Sequence, residues 1–123
     1  MKILEFKAQL YLSKKCGQTC LAMITGKEVD EICKELSKDY YTNLTSDLQT
    51  YLENSGFKTT LYTGPFDFTD ILSNSVIRLQ KPDGSGHFVL KNTDGKIYDP
   101  KIGVVEKYMS YYTITHYLNF EIK

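Results

Sequence analysis

Cys16 opens the run Cys16-Gly17-Gln18-Thr19-Cys20-Leu21-Ala22-Met23, in which apolar residues recur at helical spacing. A cysteine in the first turn of a helix lies at the positive end of the helix dipole, and that field favours the nucleophilic thiolate. Gly17 leaves the approach to the sulfur open. A thiolate works with a base, and the chain has only two histidines, His87 and His116. Residues 87–91 read as a strand, Asn92-Thr93-Asp94-Gly95 as a hairpin turn, and residues 96–98 as the returning strand. The hairpin brings Asp99 back beside His87, where a carboxylate can accept the ring N–H and fix the tautomer. Pro100 cannot donate to a sheet, so it ends the strand and leaves Asp99 at the rim. Cys16, His87 and Asp99 thus read as nucleophile, base and orienting group for acyl transfer.

Each of these residues also has a plainer reading. Free cysteines are often small buried residues, but the polar run Ser13-Lys14-Lys15 places Cys16 at a loop-to-helix junction. Asp99 before proline is a common turn residue. His116, in a Tyr-rich tail, reads as structural. Cys20, one helical turn from Cys16, reads as core or as a switched nucleophile, and Cys33, on the apolar face of the next helix, reads as core. Lys14 and Lys15 read as solvated loop charges, or as cations that favour a thiolate or steer an acidic substrate.

Three helices precede the strands that must carry His87 and Asp99. The first spans 17–24 with Gly26 as its stop, and the second spans 28–36 with Val29, Ile32, Cys33 and Leu36 on one face. The third is capped by Thr45 or Ser46, with Asp47 at its positive end and Asn54-Ser55-Gly56 closing it. Residues 57–62 then read as a strand that Gly64-Pro65 breaks, 66–72 as one short helical turn, and 75–79 as another strand. Residues 82–86 are a turn-rich loop, and the tail 111–122 supplies one or two further strands. Residues 3–6 read as a short strand or an extended lead-in. Helices first and an antiparallel sheet afterwards indicate an α+β fold, a single domain over residues 1–123.

Composition excludes several function classes. Lys and Arg number 15 and Asp and Glu 15, so the chain lacks the cationic excess that displaces counterions from nucleic acid phosphates. No stretch approaches the ~20 apolar residues of a membrane span. The N-terminus lacks the apolar core of a signal peptide, so a cytoplasmic protein is expected, with no nucleic acid or membrane partner. Three cysteines within one short region do not build a disulfide framework, and two histidines without paired spacing do not build a zinc site. No cofactor is implied.

Cys-Gly-Gln-Thr-Cys-Leu-Ala-Met-Ile opening a helix, followed by Gly-His-Phe-Val-Leu and then Asp-Gly-Lys-Ile-Tyr-Asp-Pro, resembles the papain-like cysteine peptidases of the bacteriocin-processing type. That family comprises the leader peptidase domains of peptide-exporting ABC transporters and their stand-alone relatives. The resemblance covers residues 9–100 and implies a papain-like fold, with N-terminal helices packed on a C-terminal antiparallel sheet. It implies a peptide or protein substrate, Cys16 as nucleophile, His87 as general base and Asp99 as the orienting residue. It also implies an oxyanion-stabilising glutamine ahead of the cysteine. Gln9 is the candidate, standing one residue further from Cys16 than the family pattern, and Gln18 is the alternative. A binding module that keeps the fold but does not cut, and a small effector or inhibitor, are the rival readings.

Overall fold

The computed structural model describes residues 4–10, 13–105 and 112–122. Three helical segments come first: α1 (Cys16–Thr25), α2 (Val29–Leu36), and a wide π-type turn (Leu44–Gln49) that runs into α3 (Thr50–Asn54). Six strands follow: β1 (Phe57–Phe66), β2 (Ser75–Gln80), β3 (Gly86–Lys91), β4 (Ile97–Asp99), β5 (Gly103–Val105) and β6 (Thr113–Ile122). They form one antiparallel sheet in the order β1-β6-β2-β3-β4-β5. The chain is thus α+β, with helices packed on an antiparallel sheet.

Strand alternation divides the apolar residues between two faces. Val76, Phe88, Leu90, Leu118 and Phe120 point to the helices and pack with Cys20, Leu21, Ile32, Leu48 and Leu52. Ile77, Leu79, Val89, Ile97 and Ile114 form a second cluster, with Phe66 and Phe68 packed against it. Helix α1 is the central one, with every residue from Cys16 to Ile24 buried. Leu21, fully buried there, contributes roughly 1.5–3 kcal/mol, so the start of α1 is held against movement. Gly26, in the left-handed conformation, closes the helix with its N–H on Ala22 O.

Several expectations change. The third helix is capped by neither Thr45 nor Ser46; instead Asp47 Oδ2 reaches back to the Asn43 N–H at 2.8 Å and to Lys38 Nζ at 2.9 Å. Gly64-Pro65 does not end β1. The edge strand absorbs the missing proline N–H as a register shift between Thr63 and Phe66. The helical turn between β1 and β2 is a short 3-10 turn, Phe68–Asp70, closed by a capping box with Asp67. Strand β5 was not expected: three residues are too short for periodicity to register, and β5 exists because the turn after Pro100 returns Gly103 opposite Asp99. Among the described residues the tail forms a single strand, β6, inserted between β1 and β2. The expected tail start, Tyr111, and Ile3 lie outside the described residues. Residues 4–10 have no regular structure, which matches the extended lead-in and not a strand.

Candidate active site

Two hairpins fix His87. The turn between β2 and β3 is tied by Asp83 Oδ1, which accepts from the Ser85 N–H at 2.9 Å and from its hydroxyl at 2.6 Å. Pairing of Gln80 with Gly86 and Leu79 with His87 then places the histidine at the rim of the sheet. On the other side, Leu90 pairs with Tyr98 and Lys91 with Ile97. That register sets Asp99 opposite Val89, two residues from His87 and on the same face of the strands. Asp99 Oδ1 lies 2.8 Å from His87 Nε2, with both side chains buried. The same oxygen accepts the Lys101 N–H at 2.8 Å, so Asp99 makes its turn and holds the imidazole at once.

Burial of His87 opposes a charge on the ring, but hydrogen bonds to Asp99 and Cys16 outweigh it and raise its pKa from 6.5 to about 9. With Nε2 facing Asp99, the other ring nitrogen is the one left for the sulfur. The carboxylate on one side and the Cys16 thiol on the other thus favour the protonated ring.

Cys16 is the first residue of α1, and Lys15 provides no side-chain cap. The first-turn backbone N–H groups therefore lack a capping side-chain acceptor. Gly17 packs its Cα against the hydroxyl of Thr42 and the ring of Phe88, leaving no room for a Cβ. Cys16 lies between two cavities. One, of about 410 Å³, is lined by Gln9, Lys14, Lys81, His87 and Lys101 among others. The second, of about 180 Å³, is lined by Thr42, Arg78, Gly86 and Phe88 among others. A larger recess of about 680 Å³ lies apart from Cys16, beside Lys27, Glu35 and Tyr51, whose polar groups already bond to one another.

Gln9 reaches this region because the N-terminal segment is laced along β4. Leu4 and buried Asn92 exchange two hydrogen bonds of 3.1 Å, Phe6 meets Tyr98 edge to face, and the Gln9 N–H donates to Pro100 O at 2.8 Å. Gln9 Nε2 donates one hydrogen to Ser13 O at 2.9 Å. Its Oε1 has no partner among the described residues. Gln18 is placed elsewhere: fully buried, it donates Nε2 to Lys38 O and Tyr40 O and so ties down the loop after α2. Cys20 is fully buried, and desolvation, followed by the charges of Cys16 and Asp99, pushes its thiol well up. Cys33, expected in the core, is only half-buried, because the helical face it shares with Ile32 turns towards the surface one residue further on. All three cysteines are free, and no group of His, Cys, Asp or Glu among the described residues is placed to hold a metal ion.

Arg78, in the wall of the smaller cavity, was not expected there, since a lone arginine inside a strand pattern carries no motif. Its signal is a cation interrupting the apolar run from Ser75 to Leu79.

The chain superposes on a solved peptidase domain. That structure is the peptidase domain of Streptococcus ComA, a bifunctional ABC transporter involved in a quorum-sensing pathway, matched with a TM-score of 0.68 over 100% of both chains at 16% identity. The fold is therefore shared with that peptidase domain. No family model matches the sequence, and no curated protein matches it. Among the described residues no helix is long and apolar enough to cross a membrane.

Proposed function

We propose that the chain is a cysteine peptidase or amidase that acts on a peptide or protein by acyl transfer. The observation that carries this reading is the placement of His87 between the Cys16 thiol and Asp99, with Nε2 2.8 Å from Oδ1. The fold shared with a peptidase domain supports it by analogy.

In this reading the Cys16 sulfur, its proton on His87, attacks the carbonyl carbon; a C–S bond forms and the carbonyl π electrons move to oxygen. The oxyanion is held by the Cys16 N–H at the start of α1 and by the second amide hydrogen of Gln9, the one not given to Ser13 O. His87 then delivers its proton to the leaving nitrogen as the C–N bond breaks. Water, deprotonated by His87, attacks the thioester and releases the acid and the thiolate. Asp99 keeps Nε2–H bound throughout, so the other ring nitrogen always faces the sulfur.

A mixed library of amidated peptides, incubated with the protein and read by mass spectrometry, tests this reading. Wild type should produce cleaved products and an acyl adduct on Cys16, whereas Cys16→Ala should produce neither yet still retain peptides. Retention by both proteins without cleavage by either makes the domain a binding module.

A further inference from the structure

We propose that the cleft selects a carboxylate beside the scissile bond, and that Arg78 in the smaller cavity holds it. The position beside the scissile bond rests on the peptidase reading, and the carboxylate pocket on Arg78 itself.

Arg78 lies on β2 with its side chain on the helix face, two residues from Val76 and paired across with Phe88. It is half-buried, yet its hydrogen-bond partners are neutral: Nη1 donates to Thr115 Oγ1 at 2.9 Å and to Gln80 Oε1 at 3.4 Å. Among the described residues it forms no ion pair. The guanidinium rests against Gly86, where a Cβ would come within 3.0 Å of Nη2, so the glycine before His87 is what admits the cation. The cavity it lines also has Cys16 in its wall, and its 180 Å³ holds about six waters' share of liquid volume, room for an Asp or Glu side chain.

The 410 Å³ cavity on the other side of Cys16 repeats the sign. Lys14, Lys81 and Lys101 line it, none in an ion pair among the described residues, and no Asp or Glu lines either cavity. The nearby carboxylates are occupied: Asp99 Oδ1 is held by His87 and Lys101 N–H, and Asp83 Oδ1, near Lys81, by Ser85. A chain with equal numbers of acidic and basic residues therefore presents a cationic cleft. A planar guanidinium with free N–H groups takes a carboxylate bidentately, and walls of one sign draw in the opposite charge.

The test is a set of internally quenched peptides, acetylated and amidated, each carrying Asp or its isostere Asn at one position. Turnover is read with wild type, and affinity by fluorescence anisotropy with Cys16→Ala. At one position Asp should exceed Asn by roughly tenfold in both readouts, the worth of one charged hydrogen-bonded contact. In Arg78→Gln that ratio should fall to about one, and in Arg78→Lys it should survive in part. Peptides ending in a free carboxylate at the same position separate a side-chain carboxylate from a chain terminus, and preference for either supports the proposal. No Asp preference anywhere, or one unchanged in Arg78→Gln, overturns it. Turnover without the preference removes the carboxylate pocket alone. Preference in binding without turnover keeps the pocket and removes the peptidase reading.

Discussion

The Cα of Gly17 rests on the hydroxyl of Thr42 so closely that a methyl group in its place would overlap the oxygen. The residue after the candidate nucleophile is thus in contact with the loop that forms one wall of the smaller cavity. Gly17→Ala should push that loop away from Cys16. The expected outcome is a stability loss of about 1–3 kcal/mol, as for other overpacked sites, together with a loss of turnover larger than the loss of folded protein. Denaturant titration beside kcat/KM separates the two effects.

Reactivity of the three thiols should follow their surroundings. Cys16 borders both cavities and lies beside His87, Cys20 is fully buried, and Cys33 is half-exposed with its thiol pushed up by desolvation. Iodoacetamide at neutral pH should label Cys16 first, then Cys33, with Cys20 protected until the protein unfolds. Peptide mapping of the adducts gives the order. Labelling of Cys33 ahead of Cys16 would remove the argument for an activated nucleophile.

Gln9→Ala should leave folding and Cys16 labelling almost intact, because its backbone bond to Pro100 O remains. Turnover should fall by roughly 10²-fold or more, the usual effect of losing one oxyanion donor. A loss confined to KM would assign Gln9 to substrate binding alone.

Asn92 tests the same residue from a distance. Its buried amide trades two hydrogen bonds with Leu4, at the far end of the segment that carries Gln9. Asn92→Ala should cost about 1–3 kcal/mol for the backbone groups left unpaired, and it should lower kcat although Asn92 lines neither cavity. Stability lost without a change in kcat would show that Gln9 is held by Pro100 alone.

The pH dependence follows from His87, whose pKa rises from 6.5 to about 9 on folding. A raised pKa means the folded state binds the proton more tightly. This stabilisation is complete below pH 6.5 and is lost as pH rises through about 9. Asp99→Asn removes the charge that holds the proton, so it should flatten the decline in stability over that range. If His87 must carry the proton for the leaving group, kcat/KM of the wild type should fall on the same alkaline limb, and Asp99→Asn should move that limb to lower pH. A limb that stays in place in Asp99→Asn would separate Asp99 from the imidazole's chemistry.

The sequence by itself determined the parts that local rules govern. The period of Cys20, Leu21 and Ile24, with Gly26 behind them, is enough to start a helix at Cys16. The turn Asn92-Thr93-Asp94-Gly95 fixes a register, and a register places Asp99 by His87, twelve residues apart. Only the tertiary structure brought those two pieces together. The insertion of β6 between β1 and β2, the docking of α1 on β3, and the lacing of residues 4–10 along β4 join segments distant in sequence. Such pairings are chosen by which arrangement buries both faces of the sheet, a property of the whole chain that no local window contains. The two glutamines show the difference: Gln18, closer in sequence to Cys16, is spent on the backbone of residues 38 and 40, while Gln9 reaches the cleft because Asn92 and Pro100 bind its segment. Arg78 belongs with Gln9, since its strand position is local but its nearness to Cys16 exists only once the helix lies across the sheet.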